Sequence, residues 1–278
     1  MAIAATEETT TTPGPTVPVE PALPQPEPPT MPLVEVRAYL DELLQVAGLE
    51  PSGNGLVVEG RPQVFKVGLA VNCSFQAIDS AAERRCDLLI THHAAWPSTD
   101  AHLVEQKYDR LRQLGISLYV AHDCLDQLRD LGTADALARA VQVAIQGAFA
   151  LDGEGESGVH GLTTGHWLEF VARVGNRLGV EPRAWKNSDS FGHVAIVPGG
   201  GGMPDWMARA QALACDTFLT GEALMFGILF AKEAGLNLVL AGHYATEIPG
   251  VLALSARRAR DLKLEVTFIP EAIVETAG

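Results

Sequence analysis

Short apolar segments alternate with helix-forming segments along this chain, and this alternation most constrains its fold. Residues 88–90, 116–121, 216–219 and 237–241 are predicted to form buried strands. Between them lie segments with helical spacing of apolar residues, such as the one that stops at Gly115. Strands and helices that alternate in this way pack as parallel sheets covered by helices. The sequence therefore predicts an α/β fold with mixed, largely parallel sheets flanked by helices.

An internal repeat suggests two such units. Residues 86–93 (CDLLITHH) align with residues 215–222 (CDTFLTGE), and residues 115–122 (GISLYVAH) align with residues 235–243 (GLNLVLAGH) after one inserted glycine. The identities are few, so chance similarity between two α/β units is an alternative. We infer two similar α/β domains, one from residues 32–130 with 244–278 and the other from residues 131–243. Residues 1–31, rich in Pro and Thr, are predicted to be a disordered tail.

Composition narrows the function classes. The net charge of -14 argues against a nucleic-acid or anionic-membrane binder, because both need basic surfaces. The apolar runs are too short to cross a membrane. The four cysteines are widely spaced without a CxxC pair, and the N-terminus lacks a signal peptide, so we expect a cytoplasmic protein.

Polar residues with metal-ligand chemistry follow the predicted strands of both units. The first unit supplies two adjacent histidines after one strand and a His-x-x-x-Asp pattern after the next, and the second supplies a comparable set. The candidates are His92, His93, His122, Asp126, Glu222, His243 and Glu247. Strand ends of one sheet edge form ligand sites in open α/β folds. For the double histidine alone, two solvated loop histidines are the alternative.

Seven candidates exceed the number that one tetrahedral site uses. Two divalent ions that share a bridging carboxylate fit the set better, and mixed imidazole and carboxylate ligands suit Zn, Fe, Mn, Co or Ni. We therefore expect two divalent ions per subunit in a cleft that the two domains share.

The same motifs resemble a known family. Residues 88–93 (LLITHH), 125–126 (LD), 220–222 (TGE) and above all 242–247 (GHYATE) are similar to the Nif-three-like family, whose members are also called dinuclear metal centre hexameric proteins or GTP cyclohydrolase type 2 homologues. The resemblance covers residues 33–276. It implies two α/β domains and a homohexameric toroid.

The resemblance also implies a ligand set. His93 and Asp126 would bind one metal, His92 and His243 the other, and Glu247 would bridge the two. Because neighbours at a strand end point to opposite sides, the two adjacent histidines are expected to serve different metals.

Two further residues are candidates for catalysis. His122 and Glu222 are not ligands in the family pattern, so we place them around the ligands or in the substrate pocket as proton shuttles. A satisfied, buried polar side chain is the alternative for each. The segment from His122 to Asp126 departs from the usual His-Thr-Asn-Leu-Asp, and Phe226 stands where many members carry a polar residue.

The family name implies a hydrolase that opens the guanine ring of GTP with metal-activated water. The alternative is a non-enzymatic metal-binding ring that interacts with partner proteins. A ring that encircles DNA is disfavoured by the acidic charge. The glycine run at residues 198–202 can cradle phosphate through its N–H groups, but a plain turn is the favoured interpretation.

Other residues receive no role in catalysis. Trp96 can wall the site or stack on a base, although simple packing is the default. The remaining histidines lack a partner pattern and are predicted to be structural or exposed; they are His102, His160, His166 and His193. Thr133 and Thr246 are predicted to cap helices.

Overall fold

The structure, a computed structural model, describes residues 29–272 apart from the side chains of residues 258–260. Most of the predicted tail, residues 1–28, lies outside the described residues. Met31, which the sequence assigns to that tail, instead pairs with Val64 in a short two-stranded ribbon. Within residues 29–272, none of the helices combines the length and the apolar character needed to cross a membrane.

Strands and helices alternate through the described residues. The strands are β1 (Met31–Pro32), β2 (Asn54–Val58), β3 (Gln63–Val64), β4 (Lys66–Asn72), β5 (Leu88–His93), β6 (Ser117–Ala121), β7 (Ala144–Phe149), β8 (Gly158–Leu162), β9 (Arg183–Trp185), β10 (His193–Val197), β11 (Thr217–Thr220), β12 (Asn237–Leu240) and β13 (Glu265–Phe268). The helices are α1 (Leu33–Leu43), α2 (Phe75–Glu83), α3 (Pro97–Asp100), α4 (Leu103–Leu114), α5 (Asp123–Asp126), α6 (Thr133–Ala140), α7 (Trp167–Leu178), α8 (Pro204–Ala212), α9 (Met225–Glu233) and α10 (His243–Leu262).

The first sheet has the strand order β13-β4-β5-β6-β2, in which only β2 runs antiparallel to its neighbour. Leu88 and Ile90 of β5 pack on the side covered by α1 and α10, whereas Leu89 packs on the side covered by α2 and α4. This alternation is the period of two that a strand imposes. Both faces of the sheet are thus covered, and β5 ends centrally with its two histidines.

The second sheet has the order β7-β8-β10-β11-β12-β9 and is parallel only at its centre, from β10 to β12. Its antiparallel edge includes the β7–β8 hairpin, which the Gly-rich sequence of residues 144–165 did not reveal. A side chain at Gly161 would lie 2.2 Å from the carbonyl of Ala144, so close packing of the strands requires glycine there and hides the strand pattern. The predicted α/β class with two mixed sheets is confirmed.

Helix α10 joins the two sheets. It begins directly after β12 of the second sheet, and its residues Val251 and Leu254 are buried in the core beside the first sheet. The sequence places this helix start at Thr246, which is wrong. The helix begins at His243, the positive φ of Gly242 turns the chain into it, and Pro249 lies inside the helix. This early start puts His243 and Glu247 one turn apart on the same face.

Candidate metal centre

The two adjacent histidines are held by hydrogen bonds at Nδ1. His92 is almost fully buried, and its Nδ1 donates to the carbonyl of Ala121 at 2.8 Å. Nδ1 of His93 lies 2.7 Å from Oδ1 of Asn72, at the end of the neighbouring strand β4. Since both acceptors are oxygens, the proton of each neutral ring is on Nδ1. In that neutral form, each Nε2 has a lone pair that can bind a metal.

The first turn of α10 brings the second unit to these histidines. Glu247 is buried, and its Oε1 lies 3.0 Å from Nε2 of His243 and 3.6 Å from Nε2 of His92. Its other oxygen, Oε2, lies 3.4 Å from Nε2 of His93. The two adjacent histidines thus approach different oxygens of one carboxylate. On its outer side, Nδ1 of His243 bonds to Oε1 of Glu222 at 2.9 Å.

The remaining two candidates come from the end of β6 and from α5. The ring of His122 lies 4.9 Å from that of His92 between centroids, and its Nδ1 lies 3.0 Å from Oδ1 of Asp123. Oδ1 of Asp126 lies 3.7 Å from Nε2 of His92. The prediction that Thr133 caps α6 is wrong, because Gly132 is the N-cap and the Thr133 hydroxyl instead donates to Asp126.

A metal ion fits this arrangement. In each of four imidazoles an oxygen atom pairs with Nδ1, which is how ligating histidines are usually oriented. Nε2 of His92 and Oε2 of Glu247 are buried without a hydrogen-bond partner. Buried polar atoms rarely stay unpaired, so both need a partner that the protein does not supply. Ligating atoms of His93, His243 and Glu247 lie within 4.8 Å of one another, as do those of His92, His93 and His122.

These distances favour a different pairing from the one that the resemblance implies. Asp126 lies near His92 rather than with His93. His93 groups with His243 and Glu247, and also with His92 and His122. A site of His92 and Asp126 beside a site of His93 and His243 therefore agrees better with the geometry, with Glu247 between them.

The carboxylates around the imidazoles make positive charge favourable in the centre. Burial lowers the pKa of His92, but Asp126 and Glu247 outweigh it and raise that pKa to about 9. Burial likewise lowers the pKa of His243, and Glu247 and Glu222 raise it to about 9. Burial raises the pKa of Glu247, yet His92 and His243 hold it well below its usual range. Without metal, protons on the imidazoles balance the carboxylates, and a cation can replace that charge.

A cavity of about 500 Å³ opens beside His93 and His243. Trp96 forms one wall, with its ring 5.8 Å from that of His93 and 5.0 Å from that of His122. Lys107, bonded to Asp100, lies on the same lining. The cavity therefore offers an aromatic surface and the Lys107–Asp100 ion pair next to the candidate ligands.

The glycine run after β10 closes the other side of the centre. A side chain at Gly199 would lie 2.2 Å from Oε1 of Glu247. The N–H of Gly199 donates to the hydroxyl of Thr246, and its carbonyl accepts from the N–H groups of Gly221 and Glu222. This use of the backbone favours the turn interpretation over a phosphate cradle.

Several supporting residues were missed from the sequence. Asn72, which holds His93, follows the apolar run of β4, so the signal that singled out the histidines also applied to it. Glu271 accepts from the N–H and the amide of Asn72, but it comes from the far end of the chain without a motif. Asn54, the first residue of β2, donates to Asp123, the partner of His122.

The other histidines lie away from this centre. His102 is exposed before α4, and His166 is the N-cap residue of α7. His160 and His193 do have a partner pattern: their ring nitrogens lie 3.0 Å apart. Phe226, at a position where the sequence departs from the family pattern, is 67% exposed on α9.

Comparison with known proteins identifies the family of the chain. A family model described as Duf34/NIF3 (NGG1p interacting factor 3) matches residues 31–273. The GTP cyclohydrolase 1 type 2 homolog of Deinococcus radiodurans is 30% identical over 239 residues, which cover 80% of this chain and 87% of that protein. The protein of the same name from Escherichia coli K12 is 32% identical over 246 residues, which cover 84% and 96%.

Solved structures show the same architecture. One described as protein ybgI, of unknown function, superimposes with a TM-score of 0.79 at 29% identity and covers 87% of this chain and all of that one. TTHA1606 from Thermus thermophilus gives a TM-score of 0.74 at 30% identity, with the same coverage. With the family model matched across nearly all described residues, the chain belongs to the Duf34/NIF3 (NGG1p interacting factor 3) family.

Proposed function

We propose that the protein is a metal-dependent hydrolase that holds two divalent ions and acts on a nucleotide. The observation that carries this proposal is the pair of buried, unpartnered ligand atoms, Nε2 of His92 and Oε2 of Glu247, among imidazoles oriented through Nδ1. The ligands would be His92, His93, Asp126, His243 and Glu247. Zn, Fe, Mn, Co and Ni are compatible with this donor set.

Divalent ions in such a site would lower the pKa of water and polarise the bond to be hydrolysed. The protein's own residues supply the rest. Glu222 keeps His243 in orientation through Nδ1, and its largely exposed carboxylate can exchange protons with solvent. His122 has its Nδ1 engaged with Asp123, so its Nε2 is the atom that can give or take a proton. Trp96 offers a flat surface beside the centre for a base.

The substrate we propose is GTP, with hydrolytic opening of the imidazole ring of guanine and release of formate. Two curated relatives carry the name GTP cyclohydrolase 1 type 2 homolog. The cavity is large enough for a nucleotide base, and its lining includes the Lys107–Asp100 ion pair. The name of the relatives supports the nucleotide class, and the cavity supports a ligand of this size.

Metal analysis tests the centre first. Protein purified without chelators is expected to carry at least about two transition-metal ions per chain by mass spectrometry. Glu247→Gln should lose most of that metal, because it removes the carboxylate shared by three imidazoles. Glu83→Gln, an exposed glutamate on α2, is the control and should keep it. A metal-free wild type, even after reconstitution, would refute the proposal.

Turnover tests the reaction. Metal-loaded protein is incubated with GTP, other nucleotides and simple phosphoesters, and products are separated by chromatography. Activity that requires Glu247 and survives in Glu83→Gln supports a hydrolase. A fully metallated, assembled protein that turns over none of these compounds would instead favour the non-enzymatic, partner-binding ring.

We also propose that the chain assembles into a homohexamer. Leu224, Met225 and Phe226 are 83%, 67% and 67% exposed in one continuous stretch, and such patches usually mark interaction surfaces. Light scattering measures the mass in solution, and Leu224→Asp is expected to lower it. The four cysteines are all free and buried, which is typical of reducing compartments, so a cytoplasmic location is part of the proposal.

A further inference from the structure

We propose that the second sheet carries another metal site, a mononuclear one formed by His160, His193 and Cys215. Ligating atoms of these three residues all lie within 4.8 Å of one another. None of them takes part in the centre described above. The donor set of two imidazoles and a thiolate suits a thiophilic first-row ion such as Zn²⁺, with Co²⁺ as its spectroscopic substitute.

Three neighbouring strands supply the ligands. His160 lies on β8 and His193 on β10, while Cys215 lies two residues before β11. His160 pairs with Ala195 and is diagonal to His193, so the two imidazoles share a face of the sheet. His193 is the first residue of β10 and His160 pairs with its middle residue, whereas Gly199 and the first centre lie beyond the carboxyl end of the strand. The strand's five residues separate the sites by about 15 Å at the usual rise per residue.

The imidazoles are already arranged as ligands. Nδ1 of His193 lies 3.1 Å from the carbonyl of Ala214 and donates to it, so Nε2 keeps its lone pair. That Nε2 lies 3.0 Å from Nδ1 of His160. Two nitrogens bound to one tetrahedral zinc are about 3.3 Å apart, given the usual Zn–N distance. A small widening of the pair would thus admit an ion.

The surrounding chain makes room for this pair. A side chain at Gly147, opposite His160 across the hairpin, would lie 2.8 Å from Nε2 of His160. Asp216 accepts from the N–H groups of Gly192 and His193 and so fixes the start of β10. Cys215 itself is buried, while the two histidines are partly open to solvent. The ion would have three protein ligands and a fourth position facing solvent.

The internal repeat offers a matched control. Cys86 occupies the position in the first unit that Cys215 occupies in the second, and each precedes an aspartate that accepts backbone N–H groups. Among the described residues, Cys86 belongs to none of the three groups of candidate metal ligands. Cys86→Ser therefore removes an equivalent buried thiol without touching the proposed site.

Cobalt titration of metal-free, full-length protein tests the proposal. The candidate ligands of the first centre are imidazoles and carboxylates, so a sulfur-to-cobalt charge-transfer band reports thiolate ligation. Wild type and Cys86→Ser are expected to show the band, and Cys215→Ser and His193→Gln to lose it, with at least about tenfold weaker binding of one ion per chain. Circular dichroism checks folding, and His160→Gln, partly exposed, repeats the test if Cys215→Ser unfolds. Absence of the band in saturated wild type, or its survival in Cys215→Ser, would overturn the proposal.

Discussion

The backbone of Gly199 packs so closely on Glu247 that a methyl group at residue 199 would lie 2.2 Å from Oε1 of that carboxylate. The same methyl group would lie 3.0 Å from Nε2 of His243. The glycine run after β10 is therefore part of the candidate metal centre, although none of its side chains can be a ligand.

Gly199→Ala is expected to weaken metal binding at least about tenfold, because Glu247 must move away from its present position. Gly179→Ala is the matched control. Both glycines have a left-handed backbone, with φ of 60° and 70°, but a side chain at Gly179 meets open space. Each substitution costs about 1–2 kcal/mol in unfolding free energy from the backbone alone. Equal metal affinities in the two variants, measured by competition with a chelating dye, would contradict the close-packing argument.

Asn72→Ala is expected to weaken the binding of one of the two proposed ions by about 10–100-fold. The reason is that His93 loses the oxygen that orients its ring and fixes the proton on Nδ1. Asn176→Ala, at an exposed position on α7, is the control. Isothermal titration of metal-free protein separates the binding events of the two ions of this centre. A variant whose two affinities both match wild type would show that Asn72 does not position His93.

Thr246→Val is expected to destabilise the protein by about 1–3 kcal/mol, because the N–H of Gly199 is left buried without its acceptor. Thr246 is fully buried, and valine has almost the same shape. Thr246→Val is also expected to lower the metal content, whereas Thr246→Ser keeps the hydroxyl and should keep most of the metal. The serine variant loses only the packing of the methyl group. Urea unfolding with metal analysis distinguishes the two variants. Valine and serine variants with equal metal content would refute a role for this hydrogen bond.

The cysteine thiols are expected to stay protonated in the metal-free native protein. Burial raises the pKa of Cys86 from 9.0 to about 11 and the pKa of Cys73 and of Cys215 to about 12. Because these native pKa values exceed the unfolded ones, their contribution to stability is fully present below pH 9 and is lost as pH rises toward 11–12. Ellman's reagent at pH 8 should label native protein far more slowly than protein in urea. Fast native labelling would contradict this.

The sequence determined the chemical character of the centre and the class of the fold. The alternation of short apolar runs with helical spacing predicted the α/β class, and the polar residues after the strands singled out His92, His93 and His243. The repeat and the family motifs linked candidate ligands that are separated by more than half of the length of the chain. The domain bounds at residues 130 and 243 stay a prediction.

Only the tertiary structure decided how those residues meet. Local periodicity does not report which sheet a helix packs on, and the span of α10 from the end of β12 to the first sheet is what places Glu247 between His92 and His93. The residues that orient the ligands could not be predicted for the same reason. Asn72 and Glu271 come together from opposite ends of the chain through strand pairing, which no short motif records.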